Sequence, residues 1–121
     1  MNDYQKQLKK KMDNYVHLVY RMSKKFPQDE AYGITSQFRR ASLSIILNYI
    51  EGYARFRSKV RFNHLEVAFG SFKESQYLLE FVLIEKLITC DEYSEAHELC
   101  DQIGAMLWTE LDNLSNSIKG K

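Results

Sequence analysis

In the first quarter of the chain, Leu8, Met12, Tyr15, Val19, Met22 and Phe26 recur at intervals of 4, 3, 4, 3 and 4. A spacing that alternates three and four puts every apolar residue on one stripe of an α-helix and on both faces of a strand. The same signature returns three times. A stripe of Ile34, Phe38, Ala41, Ile45, Asn48 and Gly52 marks a second helix. Phe62, Leu65, Phe69, Phe72, Gln76, Leu79, Leu83 and Leu87 mark a third, and Ala96, Leu99, Ile103, Leu107, Leu111 and Leu114 a fourth. With one proline and five glycines in 121 residues, little interrupts these helices.

The punctuation sets the boundaries. The first helix is expected over about Asp3–Lys25, with Asp3 as N-cap and Pro27 as its stop. The second is expected from Ile34 or Thr35 to Phe56. Ser58 is the expected N-cap of a third helix reaching Ile88, and Asp91 that of a fourth that frays after Ile118. The three connections are short, so neighbouring helices must run antiparallel. The predicted fold is all-α, a single up-down-up-down four-helix bundle over residues 1–121.

The second helix carries more than a core requires. Beside its main stripe lies another, Leu43, Ile46 or Leu47, Ile50 and Ala54, which suits a surface shared with another subunit. A polar ladder of Arg40, Ser44, Asn48 and Glu51 runs down its side. Glu66, Gly70, Ser71 and Glu74 form a comparable strip on the third helix. Half-buried charges need partners, so these residues, with Gly52, are read as an interhelix or oligomer seam, Arg40 pairing with Glu74.

The chemistry of catalysis finds little support. Di-metal bundles require Glu-x-x-His pairs, and none of His17, His64 and His97 lies three residues after a glutamate. Asp13–His17 and His97–Asp101 are spaced for surface contacts along a helix. Cys90 and Cys100 match neither a disulfide framework nor a zinc spacing. There is no Gly-rich phosphate loop, and Ser42 and Ser44 have no nearby histidine. The expectation is a non-enzymatic protein without metal or cofactor. The N-terminus lacks an apolar signal segment and no run suffices to cross a membrane, so the expected location is the cytoplasm.

Charge separates the halves. Residues 1–61 hold 13 Lys/Arg against 5 Asp/Glu, whereas residues 62–121 hold 4 against 11, balances of +8 and −7. Such asymmetry fits an anionic partner or a head-to-tail contact between copies. Arg39, Arg55, Arg57, Lys59 and Arg61 are the candidates for phosphate contact, with Lys9, Lys10 and Lys24 as outer contributors. Tyr49, Tyr53, Phe56 and Phe62 lie among them, suited to stacking on bases. No groove-reading motif accompanies them, which favours backbone or shape recognition.

The run from Tyr32 to Ala41, with Ser44-Ile45, Asn48 and Glu51-Gly52, resembles the bacterial four-helix-bundle proteins encoded in 23S rRNA intervening sequences, often labelled ribosomal-protein-like. Phe26-Pro27, Gly70-Ser71 and Glu74 fit the same pattern, and the likeness spans roughly Leu18 to Ile88. It departs at Ile46, Leu47, Tyr49 and Ile50. The resemblance implies an antiparallel bundle assembled as a ring, a homopentamer. The family is also similar to accessory proteins of diversity-generating retroelements, which implies RNA or DNA binding and a reverse transcriptase partner. The alternative is a structural adaptor ring that docks such a protein partner without touching nucleic acid.

Overall fold

The computed structural model describes residues 1–120 and places four helices in sequence: α1 (Asp3–Ser23), α2 (Ile34–Tyr53), α3 (Ser58–Ile84) and α4 (Cys90–Lys119), with a short 3-10 turn at Gln28–Glu30. α1 packs against α2 and α4, and α3 packs against the same two. That closed circuit is the up-down-up-down bundle the periodicity predicts.

All six residues of the α1 stripe are buried, as are Phe38, Ala41 and Ile45 of α2 and Ala96, Ile103, Leu107 and Leu111 of α4. The core stripe of α3 differs from the expected one. It runs through Leu65, Ala68, Phe72, Ser75, Leu79 and Val82, while Phe62, Phe69, Gln76 and Leu83 are only half buried. The small residue Ser75 fits because a large side chain fills the space opposite. Tyr15 is fully buried, its hydroxyl 2.7 Å from that of Ser75.

Three expected caps are corrected. Asn2, not Asp3, caps α1: its Oδ1 accepts the Gln5 amide at 2.8 Å, and the Gln5 side chain accepts the Asn2 amide at 3.0 Å. Thr89, not Asp91, caps α4 in the same reciprocal way with Glu92. Each pair satisfies two amides, where a lone aspartate further along would satisfy fewer. Ser58 is the first residue of α3 rather than its cap; Arg57 precedes it with no side-chain bond.

Helix ends move for packing reasons. α1 stops at Ser23, so that Phe26 folds under the bundle, and α2 stops at Tyr53 rather than Phe56. α3 stops at Ile84, not Ile88. The Lys86 amide bonds the Leu83 carbonyl and the Leu87 amide that of Val82, the paired closure that requires a left-handed residue. Lys86 takes it, at φ 61°. Leu87 and Ile88 are thereby turned back onto the core. α4 is continuous to Lys119, past the expected fraying point. Among the described residues, no helix is long and apolar enough to cross a membrane.

Candidate nucleic-acid interface and subunit surfaces

Because α1 rises where α2 descends, the first turns of α1 meet the last turns of α2. Gln5 Nε2 donates to the Tyr53 hydroxyl at 3.2 Å, and Lys6, Lys9 and Lys10 border the same surface hollow as Ile46 and Ile50. The corner joining α2 to α3 lies at that end too. The fold therefore gathers Lys9, Lys10, Arg55, Arg57, Lys59 and Arg61, drawn from separate stretches of sequence. Acidic residues Glu85, Asp91, Glu92 and Glu95 cluster at the opposite end, where α3 finishes and α4 begins.

These cations are not equivalent. Arg61 braces the corner: its Nε donates to the Gly52 carbonyl at 3.2 Å and its terminal amine to the Arg55 carbonyl at 2.8 Å. The guanidinium also stacks 4.7 Å from the centre of the Tyr53 ring. Arg55 pairs with Glu51 one turn earlier. Lys6, Lys9, Lys10, Arg57 and Lys59 are exposed and have no ion-pair partner among the described residues. Phe56, between two arginines, is 100% exposed.

Two expected phosphate contacts lie elsewhere. Arg39 ties α2 to the end of α1, donating to Ser23 Oγ at 2.7 Å and covering the Tyr20 ring at 4.6 Å. Lys24 caps α1, about 22 Å along the axis from Lys9. Its neighbour Lys25 pairs with Glu92.

Most of the predicted seam joins α2 to α3. Arg40 pairs with Glu74 at 2.7 Å, and the Ser44 and Ser71 hydroxyls are 2.8 Å apart. Asn48 Nδ2 donates to Ser44, at 2.9 Å to its carbonyl and 3.0 Å to its hydroxyl. At Gly52 an added Cβ would lie 2.6 Å from Leu65 Cδ1 and 3.3 Å from the Arg61 carbonyl oxygen, so α3 crosses there only because no side chain intervenes. Three residues depart from the expectation. Asn48 bonds within α2, Glu51 turns to Arg55 on its own helix, and Gly70, expected to admit a close backbone, has open space above it. The two histidine–aspartate pairs form on the surface, at 3.3 and 3.4 Å.

Sequence reasoning missed Glu110. It is buried at the basic end, accepting hydrogen bonds from the Tyr49 and Tyr53 hydroxyls. Burial, reinforced by the bonds to Glu110, raises both tyrosine pKa values well above their ordinary range. Ile103, Leu107, Glu110 and Leu114 are themselves spaced 4, 3, 4, and that strict seam would have placed the carboxylate inside. With Gln5 and Arg61 also on Tyr53, all four helices meet at this network.

Two surfaces carry unpartnered apolar groups. Leu43, Leu47 and Ile50 of α2 are exposed, Leu47 to 54%. Across the molecule, Phe62 and Phe69 of α3 and Trp108 and Leu111 of α4 line an open groove of about 430 Å³, rimmed by Glu66 and Asp112. Trp108 remains 60% exposed although its ring lies 5.6 Å from that of Phe69.

Residues 5–109 match the family described as 23S rRNA-intervening sequence protein. Among solved structures, the chain is similar to a protein of unknown function from the S23 ribosomal protein family of Bacteroides thetaiotaomicron. The TM-score is 0.82 at 19% identity, over 90% of this chain and 98% of that one. At that identity the likeness shows the shared fold. No curated protein matches the chain.

Proposed function

The chain belongs to the 23S rRNA-intervening sequence protein family, and on that premise we propose that it is a non-enzymatic, ring-forming protein, a homopentamer of the cytoplasm, that binds structured RNA through its basic end. The observation that carries this reading is the set of unpaired cations at one end of the bundle: Lys9, Lys10, Arg57 and Lys59, with Lys6 beside them. An exposed cation without a carboxylate partner releases counterions from a phosphate backbone on binding, and that release supplies most of the affinity of sequence-tolerant recognition. Phe56 offers an unstacked or looped base an exposed ring. Arg55 and Arg61 shape the corner that presents these groups, rather than contacting phosphate themselves. Five copies in a ring would repeat the basic end five times, so that weak individual contacts add through effective concentration.

Titration of a fluorescent RNA hairpin tests this. Wild type binds at low salt; a double variant with Arg57 and Lys59 each changed to Glu, at the corner, loses at least tenfold in affinity. Lys24→Glu, at the far end, leaves affinity within twofold. Equal losses in both variants would show net charge at work rather than this surface, and would refute the assignment.

A further inference from the structure

We infer that the apolar stripe of α2 from one copy docks into the aromatic groove between α3 and α4 of the next, so that these two unlike surfaces form the repeating contact of the ring. The inference rests on the ring reading above and names its two faces. Leu43, Leu47, Ile50 and Ala54 follow one another at intervals of 4, 3 and 4. That is the spacing with which one helix presents knobs to a groove on another body. Leu47 is 54% exposed and Ile50 40%.

The groove is the complementary shape: two helices flank a hollow walled by Phe62, Phe69, Trp108 and Leu111. Gly70, which also lines it, has nothing within 4 Å of where a Cβ would stand, leaving room for an incoming side chain. The tryptophan on its wall is large, half exposed and aromatic, the type most enriched at the energetic centre of interfaces.

Charge selects the same pairing. The stripe is bordered near Ile50 by Lys6, Lys9 and Lys10 with one carboxylate, Asp13, a net positive edge. The groove is bordered by Glu66 and Asp112, with Lys73 beside the Phe69 ring, a net negative edge. The three lysines, Glu66 and Asp112 have no ion-pair partner within the described residues. Like pairings oppose two net charges of one sign, whereas the unlike pairing brings net opposite signs together. Two carboxylates leave one of these lysines and the whole α2–α3 corner uncompensated, so the basic end keeps its excess charge in the assembled ring. A contact between unlike faces is heterologous, and it closes when the rotation between neighbours divides the circle.

Mass in solution and a mixing experiment decide the matter. Wild type is expected as a closed multiple of 14.3 kDa. Leu47→Asp, which spoils the stripe, and Trp108→Lys, which spoils the groove, are each expected as folded monomers with unchanged helical circular dichroism. Mixed in equal amounts they form a one-to-one dimer and nothing larger, because each supplies the half that the other lacks. A charge-only pair, Glu66→Lys with Asp112→Lys, leaves every apolar contact in place and is expected to shift the ring toward monomer.

A ring that survives Trp108→Lys, or monomers that stay apart on mixing, would overturn the pairing while leaving the ring itself intact. A monomeric wild type at tens of micromolar would overturn the ring reading and this inference together. RNA affinity is measured separately, so its failure leaves this result standing.

Discussion

At Gly52 a hydrogen atom occupies a place where α3 lies close against α2, and the neighbours there have little freedom to yield. Leu65 is fully buried, and the Arg61 carbonyl belongs to the first turn of a helix. An alanine gains about 1 kcal/mol in helix propensity but must displace a packed core side chain, which costs about 1–3 kcal/mol. Gly52→Ala is therefore expected to destabilise the protein by up to about 2 kcal/mol. Urea unfolding will check this, and a midpoint above that of wild type would contradict the close crossing. The glycine stood out in sequence because it fell on an apolar stripe; that the stripe met α3 there required the register of the two helices. Glu110 was legible in principle from its 4, 3, 4 seam. A carboxylate among leucines reads as surface until the tyrosines that receive it, Tyr49 and Tyr53, are found sixty residues away in sequence and adjacent in space.

Among the elements, the helices themselves were plain in the periodicity and their ends were not. Apolar spacing reports the packed face over many residues, whereas a cap depends on one or two side chains whose rotamers only the fold selects. Thr89 and Glu92 illustrate the difference. The pattern Thr-x-x-Glu was present, but the acidic run that follows drew attention to Asp91. Replacing Thr89 by Ala removes one half of a reciprocal cap and is expected to cost about 1 kcal/mol, whereas Ser58→Ala, at a residue that caps nothing, is expected to change stability by less than about 0.5 kcal/mol. Thermal melts of the two variants measure the contrast, and equal losses would contradict the assigned caps. The α3 stripe slipped for a related reason. Phenylalanines at 62 and 69 looked like core, yet the core position opposite Tyr15 needs the smaller Ser75, and the rings are left at the groove beside Trp108.

For the molecule as a whole, the interior is held by three tyrosines, Tyr15, Tyr49 and Tyr53, each with its pKa raised, chiefly by burial. An acid whose folded-state pKa lies above its unfolded value stabilises the fold fully below the unfolded value and loses that contribution as pH rises through it. The unfolded value is near 10, so helix content is expected to hold to about pH 10 and fall above it, together with the last part of the tyrosinate absorbance. Ionisation of every tyrosine without loss of helix would contradict the burial. The bundle and its antiparallel order were readable from the chain, since four amphipathic stripes joined by short links have few other solutions. The sorting of charge was readable only in part. Sequence divides the cations from the carboxylates by halves, whereas the fold mixes them: Arg39, Lys24 and Lys25 lie away from the corner, Lys25 pairing with Glu92, and Glu51 and Glu110 lie at the basic end. The central claim is that unpaired cations at one end engage a phosphate backbone, and the salt dependence of RNA binding tests it most directly. Each phosphate contact contributes about 0.7–0.9 to the slope of log affinity against log salt. Loss of Arg57 and Lys59 is therefore expected to flatten that slope by about 1.5, with Lys24→Glu leaving it unchanged. Affinity that does not decline with salt, or an unaltered slope in the double variant, would contradict the account.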